Sequence, residues 1–263
     1  MRFGVCASFQ EVATLETMPF DFLEENVQQF LIPERPQADF EALLREARRL
    51  PVPIETAYAF LPGDLNLIAT PQQQVDTVRL ERYVKTALQR AEQVGIRVIG
   101  FGSAVARSCP EGYDHDDALQ QIEEHLATWN TWAGEYGIQI PMEPMAYEVT
   151  NMVNTMAEGG ALISRIATTG ARLLADTYHM GRNHENPETL LPVGPLLGHV
   201  HVAELQGRAA PGQHGEDFRP YFSVLHRAGY DQRIVIECHW HNIAAEVDTA
   251  LAVLREQWAA STT

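Results

Sequence analysis

The chain has 263 residues, 45% hydrophobic and 21% charged, and its 19 basic and 35 acidic side chains give a formal net charge of −16. That length suits one large domain with its own core, and no apolar run approaches the ~20 residues of a membrane helix. The acidic balance argues against nucleic acid, because phosphate binding relies on Lys and Arg to displace counterions.

The opening MRFGVCASF lacks a basic segment followed by a long apolar one, so no secretion signal is expected. Cys6, Cys109 and Cys238 are odd in number and widely spaced, which suits a reducing cytoplasm better than a disulfide framework. Residues 3–8 (FGVCAS) read as a first strand. A short, poorly helical crossover (9–20) leads to a weaker strand at 21–27 (DFLEENV). Strands follow at 52–59 (VPIETAYA) and 97–104 (RVIGFGSA). Between them, 80–94 places Leu80, Val84, Leu88, Ala91 and Val94 on one helical face. A helix over 119–136 does the same with Leu119, Ile122, Leu126, Trp129 and Tyr136. Four more strands are expected at 138–145 (IQIPMEPM), 172–178 (RLLADTY), 199–205 (HVHVAEL) and 233–240 (RIVIECHW). A last helix uses Ile243, Val247, Leu251, Leu254 and Trp258, and the tail AASTT (259–263) is expected to fray.

Eight strand signals, most followed by a helix, predict an α/β fold: a single (β/α)₈ TIM barrel over 1–263, without linker or repeat. An open doubly wound sheet is the rival. The barrel is preferred because polar residues sit at the C-terminal ends of strands from all along the chain, and closure gathers those ends around one mouth.

Four late strands end in candidate metal ligands: Glu143, Asp176, the pair His199 and His201, and Glu237. Ionisable groups at the end of a β-run are costly to bury alone. A helix cap or a salt bridge would explain any one of them; a shared cation explains all four. Three carboxylates and one imidazole favour Mn²⁺, Mg²⁺ or Co²⁺ over a structural zinc and leave positions open for substrate hydroxyls. Alternation puts His199 and His201 on one face, so spacing does not choose between them. His179 and His239 are open between function and packing or surface. GFGS (100–103) lacks the full G-x-G-x-x-G, so a dinucleotide loop is a poor reading. As a strand-end loop it would turn Ser103 and Arg107 toward substrate, Arg107 as an anion clamp; a tight turn with a surface arginine is the alternative. Glu55 is read as structural in the barrel mouth, with substrate hydrogen bonding as its alternative, and Cys238 as packing.

The sequence resembles the xylose-isomerase-like TIM barrels, which include ketose 3-epimerases, hydroxypyruvate isomerase and inosose dehydratase. The likeness runs through FLPGDL (60–65), GFGSAVARSCPEGY (100–113), MEPM (142–145), ADTYHM (175–180), HVHVAELQGRAAPG (199–212) and VIEC (235–238). The order MEP, DTYHM, HVH, VIE is its specific part. The resemblance implies one divalent metal ion held by Glu143, Asp176, His201 and Glu237. It makes Glu143 and Glu237 the catalytic proton-transfer pair, and His179 and Arg208 holders of substrate oxygens. Where members often read EPLNRxETN, this chain reads EPMAYEVTN, so the Asn–Arg pair becomes Ala146–Tyr147 and the second Glu becomes Val149. Either Glu148 replaces that carboxylate by a one-residue shift, or the sugar contact is lost.

The implied activity is isomerisation or epimerisation of a small sugar, sugar phosphate or related hydroxy-carbonyl compound, by proton abstraction and return through a metal-stabilised enediolate. The alternatives are an inosose-dehydratase-like lyase on the same site and a non-catalytic sugar-binding barrel. An endonuclease-IV-like nuclease would share Asp176, His179, His201 and Glu237, but the Asp-x-His element of its three-metal cluster is missing after the seventh strand. No nucleic-acid or membrane partner is implied. Homo-oligomers are frequent in the family, and no surface motif selects one.

Overall fold

Among residues 1–262, which the computed structural model describes (the side chain of Ala167 apart), seven parallel strands form one curled sheet. They are β1 (Arg2–Cys6), β2 (Phe22–Asn26), β3 (Ile54–Tyr58), β4 (Val98–Ile99), β5 (Leu173–Asp176), β6 (Leu197–Val202) and β7 (Arg233–Ile236), in the order β4-β3-β2-β1-β7-β6-β5. The segment expected as a strand over 138–145 joins the two edges by isolated parallel bridges. Ile99 N–H donates to Gln139 O at 2.9 Å, and Phe101 N–H to Pro141 O at 2.9 Å. On the other side, Met142 N–H donates to Arg172 O at 2.9 Å and Leu174 N–H to Met142 O at 2.8 Å. Pro141 and Pro144 have no N–H to contribute, which thins this part of the ladder to single bridges. The ring is nevertheless closed, as expected of the barrel and not of the open sheet.

Helices fill the connections: α1 (Phe9–Val12), α2 (Gln37–Ala47), α3 (Thr77–Val94), α4 (Ala104–Arg107), α5 (His115–Glu135), α6 (Met156–Arg165), α7 (Thr177–Arg182), α8 (Leu190–Val193), α9 (Arg219–Arg227) and α10 (Ile243–Ala260). The first crossover is as poor in helix as its sequence suggests, a single turn closed by a capping box between Ser8 and Glu11. Of the stripe expected in α3, Leu80, Val84, Leu88 and Ala91 are buried and Val94 is partly exposed. Asp76 caps its start and Gly95, at φ 102°, ends it in the left-handed conformation a glycine adopts without strain. In α5 the buried stripe is Ile122, Leu126 and Trp129. No helix among the described residues is long and apolar enough to cross a membrane.

Two expectations are corrected. Glu55 does not sit in the mouth. It lies at the opposite end of the barrel, where Arg2 Nη1 donates to it at 2.6 Å and Arg233 Nε at 3.0 Å, so it ties together the first residues of β1 and β7. The tail does not fray over its whole length either. Helix α10 runs to Ala260 because Trp258 packs edge-on against Phe3 and Phe222, and the Ser261 hydroxyl donates to Trp258 O at 2.8 Å. Thr263 lies outside the described residues.

Between the sheet and α5, buried Trp129 meets Phe101 and Phe60 edge-on, with ring centroids 5.4 and 5.6 Å away. Trp129→Ala should lower the unfolding free energy by roughly 3–5 kcal/mol, the usual range for deleting a large buried aromatic. Urea denaturation followed by circular dichroism checks this; a loss under about 1 kcal/mol would mean that the space collapses.

Candidate metal centre

At the C-terminal ends of the strands, one oxygen or nitrogen from each of Glu143, Asp176, His201 and Glu237 lies within 4.8 Å of all the others. Glu143 lies near the end of the bridging segment; its N–H donates to Phe101 O at 3.1 Å. Gly102 makes room for it, since a Cβ there would meet Glu143 Oε2 at 2.5 Å. Asp176 ends β5 and does two jobs: Oδ1 caps α7 by accepting from Tyr178 N–H at 2.8 Å, while Oδ2 faces the cluster. His201 lies on β6 beside Asp176 in the sheet register. Glu237 directly follows β7, its N–H bonded to Val202 O at 3.1 Å. The first three are buried and Glu237 is partly open.

Below the cluster, Glu24 on β2 is fully buried and bonded to both strand-six histidines, to His201 Nε2 at 2.9 Å and His199 Nε2 at 2.8 Å. This residue was not singled out from the sequence. The available signal was a carboxylate inside an apolar strand, which must be partnered to be buried. His201 thus turns Nδ1 toward the cluster, 3.0 Å from Glu237 Oε2 and 3.8 Å from Glu143 Oε1. Burial works against charge on this ring, but Glu24 and Glu237 carry it well above the ordinary imidazole range. Burial likewise pushes Glu143 up, and His201, His179 and Arg208 together more than reverse it.

Arg208 sits inside this arrangement. Its Nη2 donates to Asp176 Oδ2 at 2.9 Å and to Glu237 Oε2, and its guanidinium lies 4.9 Å from the Tyr178 ring centroid. The loop that carries it is folded around Glu204, a buried carboxylate accepting from the N–H groups of Gly212 (2.7 Å), His214 (2.6 Å) and Gly215 (3.1 Å). An ion-pair cluster without metal would use the same arginine contacts. It would leave unexplained two buried atoms that lack hydrogen-bond partners and belong to this one cluster: Glu143 Oε1 and His179 Nε2. Three carboxylate oxygens and an imidazole nitrogen within reach of one point are a donor set that fits a hard divalent cation.

The other expected site residues divide. His179 on α7 joins the cluster: its Nδ1 accepts from Ala146 N–H at 3.3 Å, so Nε2 bears the proton and lies 3.7 Å from Asp176 Oδ2. Arg107 does not clamp an anion. It is wholly buried and donates to Gly102 O (2.6 Å), Glu143 O (2.8 Å), Met152 O and Val153 O. Burial pushes its guanidinium down to about 10, so it stays charged at neutral pH while fastening Glu143's main chain to two loops. The Ser103 hydroxyl accepts from Leu61 N–H at 2.9 Å and so ties the loop after β4 to the loop after β3. Glu148 does not replace the missing carboxylate: it is exposed and paired with Arg182 at 2.7 Å. Cys238 is half-buried and packs against the core, and His239 is exposed.

Residues 12–257 match a family described as the xylose isomerase-like TIM barrel. An L-ribulose 3-epimerase of Methylomonas sp. (strain DH-1) is 31% identical over 129 residues, 48% of this chain and 45% of that protein. A ketose 3-epimerase of Arthrobacter globiformis is 29% identical over 131 residues, 48% of this chain and 44% of that one. The matched part of the chain thus spans about half the length of these relatives. A solved structure of an L-ribulose 3-epimerase superposes with a TM-score of 0.82 at 18% identity, covering 99% of this chain and 95% of the other, which shows a shared fold.

Arg107→Met should cost roughly 3 kcal/mol or more of stability, since each buried carbonyl left unpaired costs about 1–3 kcal/mol. Urea unfolding measures it, with Arg107→Lys expected in between; an unchanged midpoint would mean that water replaces the guanidinium.

Proposed function

This chain belongs to the xylose isomerase-like TIM barrel family, and we propose that it is a divalent-metal-dependent epimerase or isomerase of a small carbohydrate. The observation that carries this reading is the pair of carboxylates, Glu143 and Glu237, that share one space with an unpartnered imidazole nitrogen and an unpartnered imidazole N–H. The two relatives named above are an L-ribulose 3-epimerase and a ketose 3-epimerase by name, which favours epimerisation at the carbon next to a carbonyl.

Glu143, Asp176, His201 and Glu237 would hold the ion. When bound, it supplies Lewis-acid polarisation of the substrate carbonyl, on the order of several kcal/mol against charge building up on oxygen. The chain's own groups do the rest. Glu143 and Glu237 each offer the cage one carboxylate oxygen and keep a second, so one can take a proton from carbon and the other return it. His179 Nε2–H, its tautomer set by Ala146 N–H, offers a donor to a substrate oxygen. Arg208 brings positive charge and further donors to the same place. The hydrogen bonds that hold these side chains would fix their positions relative to a substrate bound at the mouth. Proton return to the opposite face inverts the carbon, and return to the neighbouring carbon exchanges aldose and ketose. The family's Asn–Arg pair and second Glu are absent here, and Glu148 is held by Arg182, so substrate hydroxyls at that side meet a different surface, on which Tyr147 and Val149 are exposed.

In Mn²⁺-loaded protein incubated with a ketose panel in D₂O, deuterium should enter one ketose at the carbon next to its carbonyl. Glu237→Gln should reduce this exchange by roughly 10²–10⁴-fold, the usual worth of a positioned acid–base group. Wild-type exchange in that variant would overturn the assignment of Glu237, and loss of water from the sugar would identify a lyase instead.

A further inference from the structure

We propose that Glu24 is a positioning residue: it fixes the proton of His201 on Nε2 so that Nδ1 presents its lone pair to the metal cage, and His199 acts through Glu24 by holding that carboxylate in place. The inference rests on the metal reading above and adds residues to it.

Strands β2 and β6 are not neighbours; β1 and β7 lie between them in the sheet. The bonds from Glu24 to the β6 histidines therefore cross the barrel interior. Glu24, His199 and His201 are 0–1% exposed, so their polar atoms can be satisfied by one another but not by bulk water. An ionised carboxylate only accepts. Its three partners, His201 Nε2 at 2.9 Å, His199 Nε2 at 2.8 Å and the Thr56 hydroxyl, must therefore all donate. This puts the His201 proton on Nε2. The nitrogen left facing Glu143 and Glu237 is Nδ1, which has no hydrogen-bond partner. A carboxylate that orients a metal-binding imidazole in this way raises its basicity as well as fixing its tautomer.

His199 has no task of its own in this arrangement. Its other nitrogen, Nδ1, is buried without a partner, so Glu24 is its one polar tie. It shares Oε2 with Thr56, which fixes the rotation of the carboxylate and leaves Oε1 for His201. The two imidazoles also meet edge-on, with centroids 4.9 Å apart at 80°, so His199 braces the plane of the His201 ring directly.

The test uses Mn²⁺ as probe and measures its affinity for the full chain by electron paramagnetic resonance, with circular dichroism as a check on folding. Glu24→Gln can no longer accept on both sides, and Mn²⁺ binding should weaken roughly 10–100-fold. Thr56→Val, a milder change, should weaken it by a smaller factor and serves if the first variant does not fold. In Mg²⁺-loaded protein, ¹⁵N NMR should find the His201 proton on Nε2 in the wild type and no longer fixed there in Glu24→Gln, a signature that a packing role would not move. Asp176→Asn removes a cage ligand and so tests the metal reading itself. If it weakens Mn²⁺ binding while Glu24→Gln binds as wild type with the Nε2 proton in place, this inference falls and the cage stands. If Asp176→Asn also binds as wild type, the cage falls and takes the inference with it. A second Mn²⁺ per chain that is lost in His199→Phe would overturn the positioning role by making the trio a metal site.

Discussion

Three carboxylates held within reach of one another repel. Two like unit charges about 4 Å apart in a protein of effective dielectric constant 20 cost each other about 4 kcal/mol. Such a cluster is stable only if positive charge stands among its members. In the metal-free arrangement, Arg208 and the His201 ring provide it. A divalent cation would provide more, from a single point, and would bind His201 Nδ1 where the metal-free ring carries its second proton. Much of the surrounding architecture can be understood as holding that unfavourable gathering of charge in place.

The supports are distributed around the ring. Arg107 secures the main chain of Glu143, and Gly102 leaves the space its side chain occupies. Asp176 is fixed by its own capping bond to α7, which also returns His179 to the cluster. Glu24 reaches across the interior to the β6 histidines, and Glu204 folds the loop that bears Arg208. At the far end, Glu55 joins the starts of β1 and β7. Closure itself depends on a segment carrying two prolines, which bridges β4 and β5 with few bonds and still places Glu143 at the mouth.

What could be read in the sequence follows from where each interaction lies along the chain. Apolar runs and three-and-four spacings are local, so every expected strand segment is found at its place in the ring, and α3, α5 and α10 at theirs. The cage was legible because a barrel sends each strand's C-terminal end to the same mouth, making adjacency in space a matter of position within a strand. Residues whose roles depend on a particular distant partner were not legible. Glu24 stands in a weak strand segment with nothing nearby to mark it, and the histidines it faces lie some 175 residues later. Arg107 carries the charge of an anion clamp, but it is the carbonyls of Met152, Val153 and Glu143 that claim it. Glu148 stands near the place of a lost carboxylate, yet Arg182 turns it outward.

The most direct measurement is a crystal structure of Mn²⁺-soaked protein with anomalous diffraction recorded at the manganese edge. One peak is expected per chain, bounded by Glu143, Asp176, His201 and Glu237, with Arg208 released from Asp176 Oδ2. A cage without a peak at saturating Mn²⁺, with Arg208 still bonded to Asp176 and Glu237, would contradict the proposal and leave an ion-pair cluster in its place.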